Sequence, residues 1–452
     1  MTIHGPTPLE LLRQVPQILH SPVKYLDYAT RTYGDMVYFR AGKVNAFLLN
    51  HPEAALRVLR DHHSQYNKDT MQYNALARIT GRGLLTNSGE HWLQQRRLIQ
   101  PAFARQKLEA IEPFAVAAAN RTIQRWHRQA QTAVEPIIDM EHEMMLLSLD
   151  VLGNALFGSD LSEQLTPLVE ATLTALKHIM AGAKNPLQAP VWLPTAANRR
   201  FERSLHTLDM AVAAMLAERL RKGLGEDLLS VLIRAQQERG KEDLPDRQVR
   251  DEIVTLLIAG HETVATALTW SWYLLDANSE KRNILNEEVD SVLGKGIGFE
   301  LSHVQLEALP YTLQVFQEAL RLYPPAWLIT RKALQADEVR GLAIPEKSLV
   351  IISPYTMHRH PAFWPDAERF EPQRFDPERT REQHKFAYIP FGVGPALCIG
   401  KNFALIEAQI ILAMLSRHFS FERVYAASPV EMDALVTLRP RDGMPMRLVA
   451  RS

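Results

Sequence analysis

Apolar residues recur at helical spacing through most of this chain, while short alternating runs cluster near its two ends and just beyond residue 325. Between Thr7 and Arg40 short helical patterns alternate with loop signals. Asp35–Arg40 and Val44–Leu49 then read as a hairpin about Ala41-Gly42-Lys43, and His51-Pro52 opens an amphipathic helix to about Arg60. Asn67–Thr86 shows little periodicity and reads as a long loop, a kind of segment that is often functional. Glu90–Gln100 is helical. Ile111–Phe157 and Leu161–Ala181 predict long helices, and a further helix runs to about Arg221 after a break holding Pro186, Pro190, Trp192 and Pro194. Helices joined in this way form either a lid or a plain surface turn.

Thr255–Leu275 is nearly all apolar, but His261 and Glu262 sit in its middle, where a bilayer would penalise them; the segment predicts a long buried helix. Tyr323-Pro324-Pro325 stops the helix that contains Glu318 and Arg321, and Ala326–Arg331 reads as a strand with Trp327, Ile329 and Arg331 on one face. Phe403–Phe419 is apolar on nearly all sides, as a core helix is. The tail from Val436 to Leu448 reads as a hairpin. The fold class is mainly α with a smaller β-rich lobe.

Composition narrows the function by exclusion. The 452 residues hold 51 basic and 51 acidic side chains, so no global charge argues for nucleic acid or an anionic surface. A single cysteine permits neither an internal disulfide nor a four-cysteine metal site. Met1–Leu19 mixes prolines with Glu10 and Arg13 and has no uninterrupted apolar run, so no signal peptide or membrane anchor is expected, and the expected location is cytoplasmic.

That cysteine, Cys398, lies in Phe391-Gly-Val-Gly-Pro-Ala-Leu-Cys-Ile-Gly400, where glycines and a proline shape a loop that leads into a helix. The start of that helix offers free N–H groups and a positive dipole end, which favour a thiolate suited to a metal. Pro395 and Asn402 exclude a phosphate-binding loop here, and Leu397 excludes a dinucleotide fingerprint. His142-Glu143 and His261-Glu262 begin zinc-type motifs, but Leu146 and Ala265 occupy the place of the second histidine.

The loop, with its Phe-x-x-Gly and its cysteine four residues further on, resembles the haem-binding loop of the cytochrome P450 family. The resemblance implies the cytochrome P450 fold as one haem domain over 1–452, haem b with Cys398 as axial thiolate, and Phe391 and Gly392 against the cofactor. Trp92 and Arg96, four apart on one helix face, match the family's propionate-binding pair, although alone they read rather as an aromatic packed under a surface arginine. Arg331 matches a second propionate ligand. Ala259-Gly260-His261-Glu262-Thr263 matches the small-Gly-x-acid-Thr pattern above the haem, which implies that Thr263 hydrogen-bonds dioxygen and Glu262 delivers protons. The small pair Ala259-Gly260 is expected to thin the helix for a flat ligand. Glu318 and Arg321 with Arg374 in Phe370-Glu-Pro-Gln-Arg-Phe375 match a buried structural network.

Thr80–Thr86, Ala259–Val264 and Glu318–Trp327 are similar to thermophilic bacterial carotenoid-ring hydroxylases of that family. The expected activity is insertion of one oxygen atom from O2 into a C–H bond of a hydrophobic substrate, a carotenoid or terpenoid before a fatty acid. The expected pocket draws on Met71, Tyr73, Leu76, Ile79, Ile179, Ile258, Ala259, Trp327, Leu328 and Leu438, with no arginine aimed at an acidic substrate. About fifty residues follow the loop, too few for a reductase module, so electrons are expected from a separate ferredoxin or flavodoxin with its reductase. Arg97, Arg105 and Lys401 offer it a basic face, or are ordinary solvated charges. The alternatives are a peroxide-dependent oxygenase or haem-thiolate isomerase, against which Glu262 and Thr263 argue, and a non-catalytic haem-binding sensor. The chain departs from the family at Ala396, where an arginine or histidine usually binds a propionate; weaker haem retention is expected.

Overall fold

A computed structural model of the chain describes residues 4–42, 44–104, 111–184, 189–190, 192–238, 247–294, 300–426 and 428–451. Helices form the larger part, and they pack around one that runs through the middle of the main apolar core, Arg247–Ala277. At 31 residues it is about 46 Å long. It is long and apolar enough to span a bilayer, yet 83% of its apolar window is buried inside the protein, in keeping with the buried helix expected from its central His261 and Glu262.

The helix Met140–Phe157 crosses this central helix closely. A Cβ at Gly260 would lie 2.7 Å from Leu152 Cδ1, so the missing side chain serves the packing of two helices. The central helix also continues unbroken through Thr263.

The smaller lobe is built on a five-stranded sheet in the order Met36–Ala41, Val44–Leu49, Leu349–Ile352, Ile329–Ala333, Tyr66–Asn67. Its first pair is the expected hairpin, in register from Met36 opposite Leu49 to Ala41 opposite Val44. Val44–Leu49 then pairs in parallel with Leu349–Ile352, a long-range connection that anchors the lobe to the second half of the chain. Three expectations fail here. Met71–Thr80 is a helix within the segment read as a loop. The tail is not one hairpin: Leu438–Pro440 pairs with Met432–Ala434, whereas Pro445–Ala450 pairs with Phe419–Arg423 and with Ile137–Asp139. That last strand also interrupts the single long helix expected over Ile111–Phe157, leaving Glu112–Thr132 and Met140–Phe157.

Arg321 is wholly buried and ties the helical core to the segment before the cysteine loop. Its guanidinium grips Glu318 through two hydrogen bonds of 2.6 and 2.7 Å and donates to the carbonyls of His358 and Ala367 at 3.0 and 2.7 Å. Arg374 Nε lies 3.4 Å from the same carboxylate, and the Glu371 N–H donates to it at 3.0 Å.

Candidate active site around Cys398

The loop before Cys398 is closed by its own backbone, Cys398 N–H to Phe391 carbonyl at 2.9 Å and Gly392 N–H to Ile389 carbonyl at 3.0 Å. Gly392 and Gly394 have φ of 72° and 77°, left-handed values that a side chain resists. The helix Lys401–His418 starts just beyond. Cys398 is accessible although many protein atoms surround it. Burial pushes the thiol pKa up; the Gly400 N–H and the Arg96 guanidinium oppose this without overcoming it. The positive helix end alone therefore does not produce the thiolate expected from the sequence. A bound metal cation would, since coordination deprotonates a thiol.

Three cations meet beside the loop. Arg96 donates to the Leu397 carbonyl at 2.7 Å and lies 5.9 Å from the Trp92 ring centre. Arg331 donates to the Tyr73 hydroxyl at 3.1 Å. Lys68 stands between the two aromatics, its ammonium 5.7 Å from the Tyr73 ring and 5.8 Å from Trp92, and donates to the carbonyls of Leu84 and Leu85 at 3.2 and 2.9 Å. Burial and repulsion by Arg331 and Arg96 hold the Lys68 pKa well below that of a free lysine, with Glu252 opposing. Clustered, partly buried cations are costly without an anion, so this donor set and the nearby cysteine fit a metal macrocycle that bears carboxylates. Lys68 was invisible to sequence reasoning: one lysine in Tyr-Asn-Lys-Asp-Thr has no pattern around it.

In the buried middle of the central helix, Ala259, Gly260 and Thr263 keep partial exposure, while Ile258, His261 and Glu262 are buried. The Thr263 hydroxyl donates to the Ala259 carbonyl at 2.8 Å. Glu262 turns elsewhere and accepts a 2.7 Å hydrogen bond from Thr437. Burial raises its pKa to about 7, with Thr437 and Arg439 opposing. Acid and alcohol adjoin in sequence but have separate partners.

The expected pocket residues divide into two groups. Leu76, Ile79, Ile179 and Ile258 are buried in the main core, and Trp327, Leu328 and Leu438 pack in a second cluster under the smaller lobe. Tyr73 belongs with the cations. Met71 is 74% exposed at the start of its helix. Arg97 and Lys401 are exposed; Arg105 lies outside the described residues.

Sequence reasoning also missed how Gly81–Leu84 is held. The Arg82 N–H donates to Asp251 at 2.8 Å and the Leu84 N–H to Glu252 at 2.9 Å, while Arg250 donates to the Ile79 carbonyl at 2.8 Å. A Cβ at Gly81 would lie 2.0 Å from the Asp251 carboxylate, so the glycine admits the acid. The signal was present as a glycine-rich loop with free N–H groups and an acid pair early in a helix.

Comparisons with known proteins agree with this geometry. The family model described as Cytochrome P450 matches residues 3–444. The chain is 34% identical over 415 residues to Cyclooctatin synthase of Streptomyces melanosporofaciens, covering 91% of this chain and 88% of that protein. It is 32% identical over 441 residues to Pentalenene oxygenase of Streptomyces avermitilis, covering 96% and 94%. Over 441 residues it is 30% identical to Protein LUTEIN DEFICIENT 5, chloroplastic, of Arabidopsis thaliana, covering 93% and 73%.

Proposed function

Because the chain belongs to the cytochrome P450 family of monooxygenases, we propose that it hydroxylates a large terpenoid or carotenoid hydrocarbon, using O2 and two electrons from a separate ferredoxin or flavodoxin. The balance is R–H + O2 + two electrons + two protons giving R–OH + H2O. The substrate class rests on relatives named for cyclooctatin, pentalenene and lutein, and on the apolar residues Leu76, Ile79, Ile179 and Ile258 in one core.

Haem ligated by a cysteine thiolate is the family's cofactor, and Cys398 is the one cysteine of this chain. When bound it supplies oxygen activation, with the thiolate favouring O–O cleavage. Lys68, Arg96 and Arg331 would hold its carboxylates, and Trp92 and Phe391 would pack beside it. Thr263 presents a hydroxyl on the accessible face of the central helix, and Glu262 holds a proton behind it, near its own midpoint at neutral pH. Leu76, Ile79, Ile179 and Ile258 exclude water and orient the hydrocarbon. The cysteine loop rests on the turn Arg57–Asp61, and Arg60 and Lys385 flank Phe386 at 5.4 and 5.6 Å. With exposed Arg97 and Lys401 these cations form the docking face for an acidic electron carrier. We place the protein in the cytoplasm as one haem domain.

The observation that bears most on this reading is the accessible Cys398 beside Arg96, with Lys68 and Arg331 clustered about that guanidinium. Its test is the difference spectrum of the reduced, carbon monoxide-bound protein. A strongly red-shifted Soret band that is lost in Cys398→Ala is expected, followed by substrate-induced spectral shifts with terpenoids or carotenoids. Haem-replete protein without that band would overturn it.

A further inference from the structure

Glu262 is held from outside its own helix. The Thr437 hydroxyl donates to Oε1 at 2.7 Å, both groups being buried. Two residues further on, Arg439 pairs with Glu141 at 2.7 Å, with side chains 6% and 4% exposed. Between them Leu438 fixes the segment: its N–H donates to the Pro325 carbonyl at 3.1 Å and its carbonyl accepts the Trp270 indole N–H at 2.8 Å. Thr437 and Arg439 therefore cannot drift along the central helix. The ion pair is not spent on itself, because Arg439 Nη1 and Glu141 Oε1 are buried without partners. An unfinished buried pair of this kind is costly, and polar groups retained at such cost are candidates for function.

We propose that Thr437, Arg439 and Glu141 are positioning residues that aim the Glu262 carboxyl and fix its proton affinity, Arg439 favouring the carboxylate and Glu141 the acid. This rests on the reading of Glu262 as the proton donor. The charged groups that act on Glu262 come from two elements, Arg439 from the segment Leu438–Pro440 and Glu141 from the helix Met140–Phe157. Glu141 in turn feels Arg439, Asp139 and Lys177. His261, next to Glu262, is held neutral by burial, its pKa lowered to about 4. Against the upward push of burial, the Thr437 hydrogen bond and Arg439 pull down and Glu141 pushes up, which leaves Glu262 near neutrality. A proton donor works best when its affinity lies near the working pH, so the pair adjusts the group that moves the proton without touching substrate.

The test is an infrared pH titration of the resting, haem-loaded protein, following the protonated-carboxyl band that disappears in Glu262→Gln. Arg439→Gln should raise the midpoint and Glu141→Gln lower it, each by about half a pH unit or more. The double variant should return close to the parent, and Thr437→Val should raise the midpoint. If Arg439→Gln loses haem, Glu141→Gln and Thr437→Val decide the matter. Unmoved midpoints, or shifts of the same sign in Arg439→Gln and Glu141→Gln, would overturn the inference, because a merely structural pair changes melting temperature without opposite shifts. A separate arm tests the reading beneath it: Glu262→Gln should increase the peroxide released per electron pair from a surrogate ferredoxin system. Unchanged release there would remove Glu262 from proton delivery while the midpoint shifts still stood.

Discussion

A methyl group at Gly394 would lie 2.2 Å from the carbonyl oxygen of Leu59, a contact no real side chain makes. The cysteine loop is thus seated directly on the backbone of the turn Arg57–Asp61. Gly392 shares the left-handed conformation but has only the Ala396 carbonyl, at 4.0 Å, beside the same position. Gly392→Ala should therefore meet no closer protein atom and cost the protein backbone strain of roughly 1–2 kcal/mol, so any haem it loses reports contact with the cofactor and not with the turn. Gly394→Ala adds the clash and should be purified largely haem-free. Comparing haem absorbance per protein in the two variants and the parent checks this, and a Gly394→Ala haem content equal to the parent's would show that the turn yields.

On the proposed reading, Lys68, Arg96 and Arg331 would share the charge that Ala396 does not supply. Replacing one such donor should cost about the worth of a charge-assisted hydrogen bond, so Lys68→Met should lose haem to apomyoglobin roughly tenfold faster. Ala396→Arg should slow the transfer. An unchanged rate in both variants would mean that the cluster does not face the carboxylates.

Glu407 lies wholly buried on the helix that follows Cys398, and burial raises its pKa to about 8 against the opposing effect of Ser148. Folded protein holds this proton when unfolded chain has released it. Its contribution is therefore complete below the unfolded value near 4.5 and fades as pH rises through about 8. Glu252 and Glu262, each raised to about 7, act in the same direction. Glu407→Gln should leave the melting temperature near pH 5 almost unchanged and raise it near pH 9 by about 2–5 °C. A parallel offset at both pH values would remove the titration from the explanation.

Removing one member of the Glu318–Arg321 pair leaves the other buried and charged, a penalty of about 3–5 kcal/mol. Arg321→Ala should yield aggregated or haem-free protein. Arg374→Gln, at the rim of the network, should fold with a lower melting temperature. Calorimetry of the two variants separates these outcomes.

The sequence made the helices and the cysteine loop legible where signals are local: apolar period, glycines with forced φ, and motifs with fixed spacing. It misled over Met71–Thr80 because that helix buries only Tyr73, Leu76, Ile79 and Thr80 among Gln72, Asn74 and Arg78, a diluted stripe. The tail was misread because Pro445–Ala450 finds a partner in Ile137–Asp139, about three hundred residues earlier, and no short-range pattern encodes that pairing. Lys68 and Thr437 escaped notice for the same reason, since each matters through a neighbour distant in sequence.

The grip of Asp251 and Glu252 on Gly81–Leu84 has a consequence for inheritance. The helix Met71–Thr80, the loop after it and the acids early in the central helix form one cassette, since each side supplies what the other leaves unsatisfied. A chimaera that imports residues 71–84 from a relative without residues 250–263 would strand two carboxylates or two backbone donors. Recombination that respects this boundary keeps both sides satisfied, and recombination that ignores it loses the fold first.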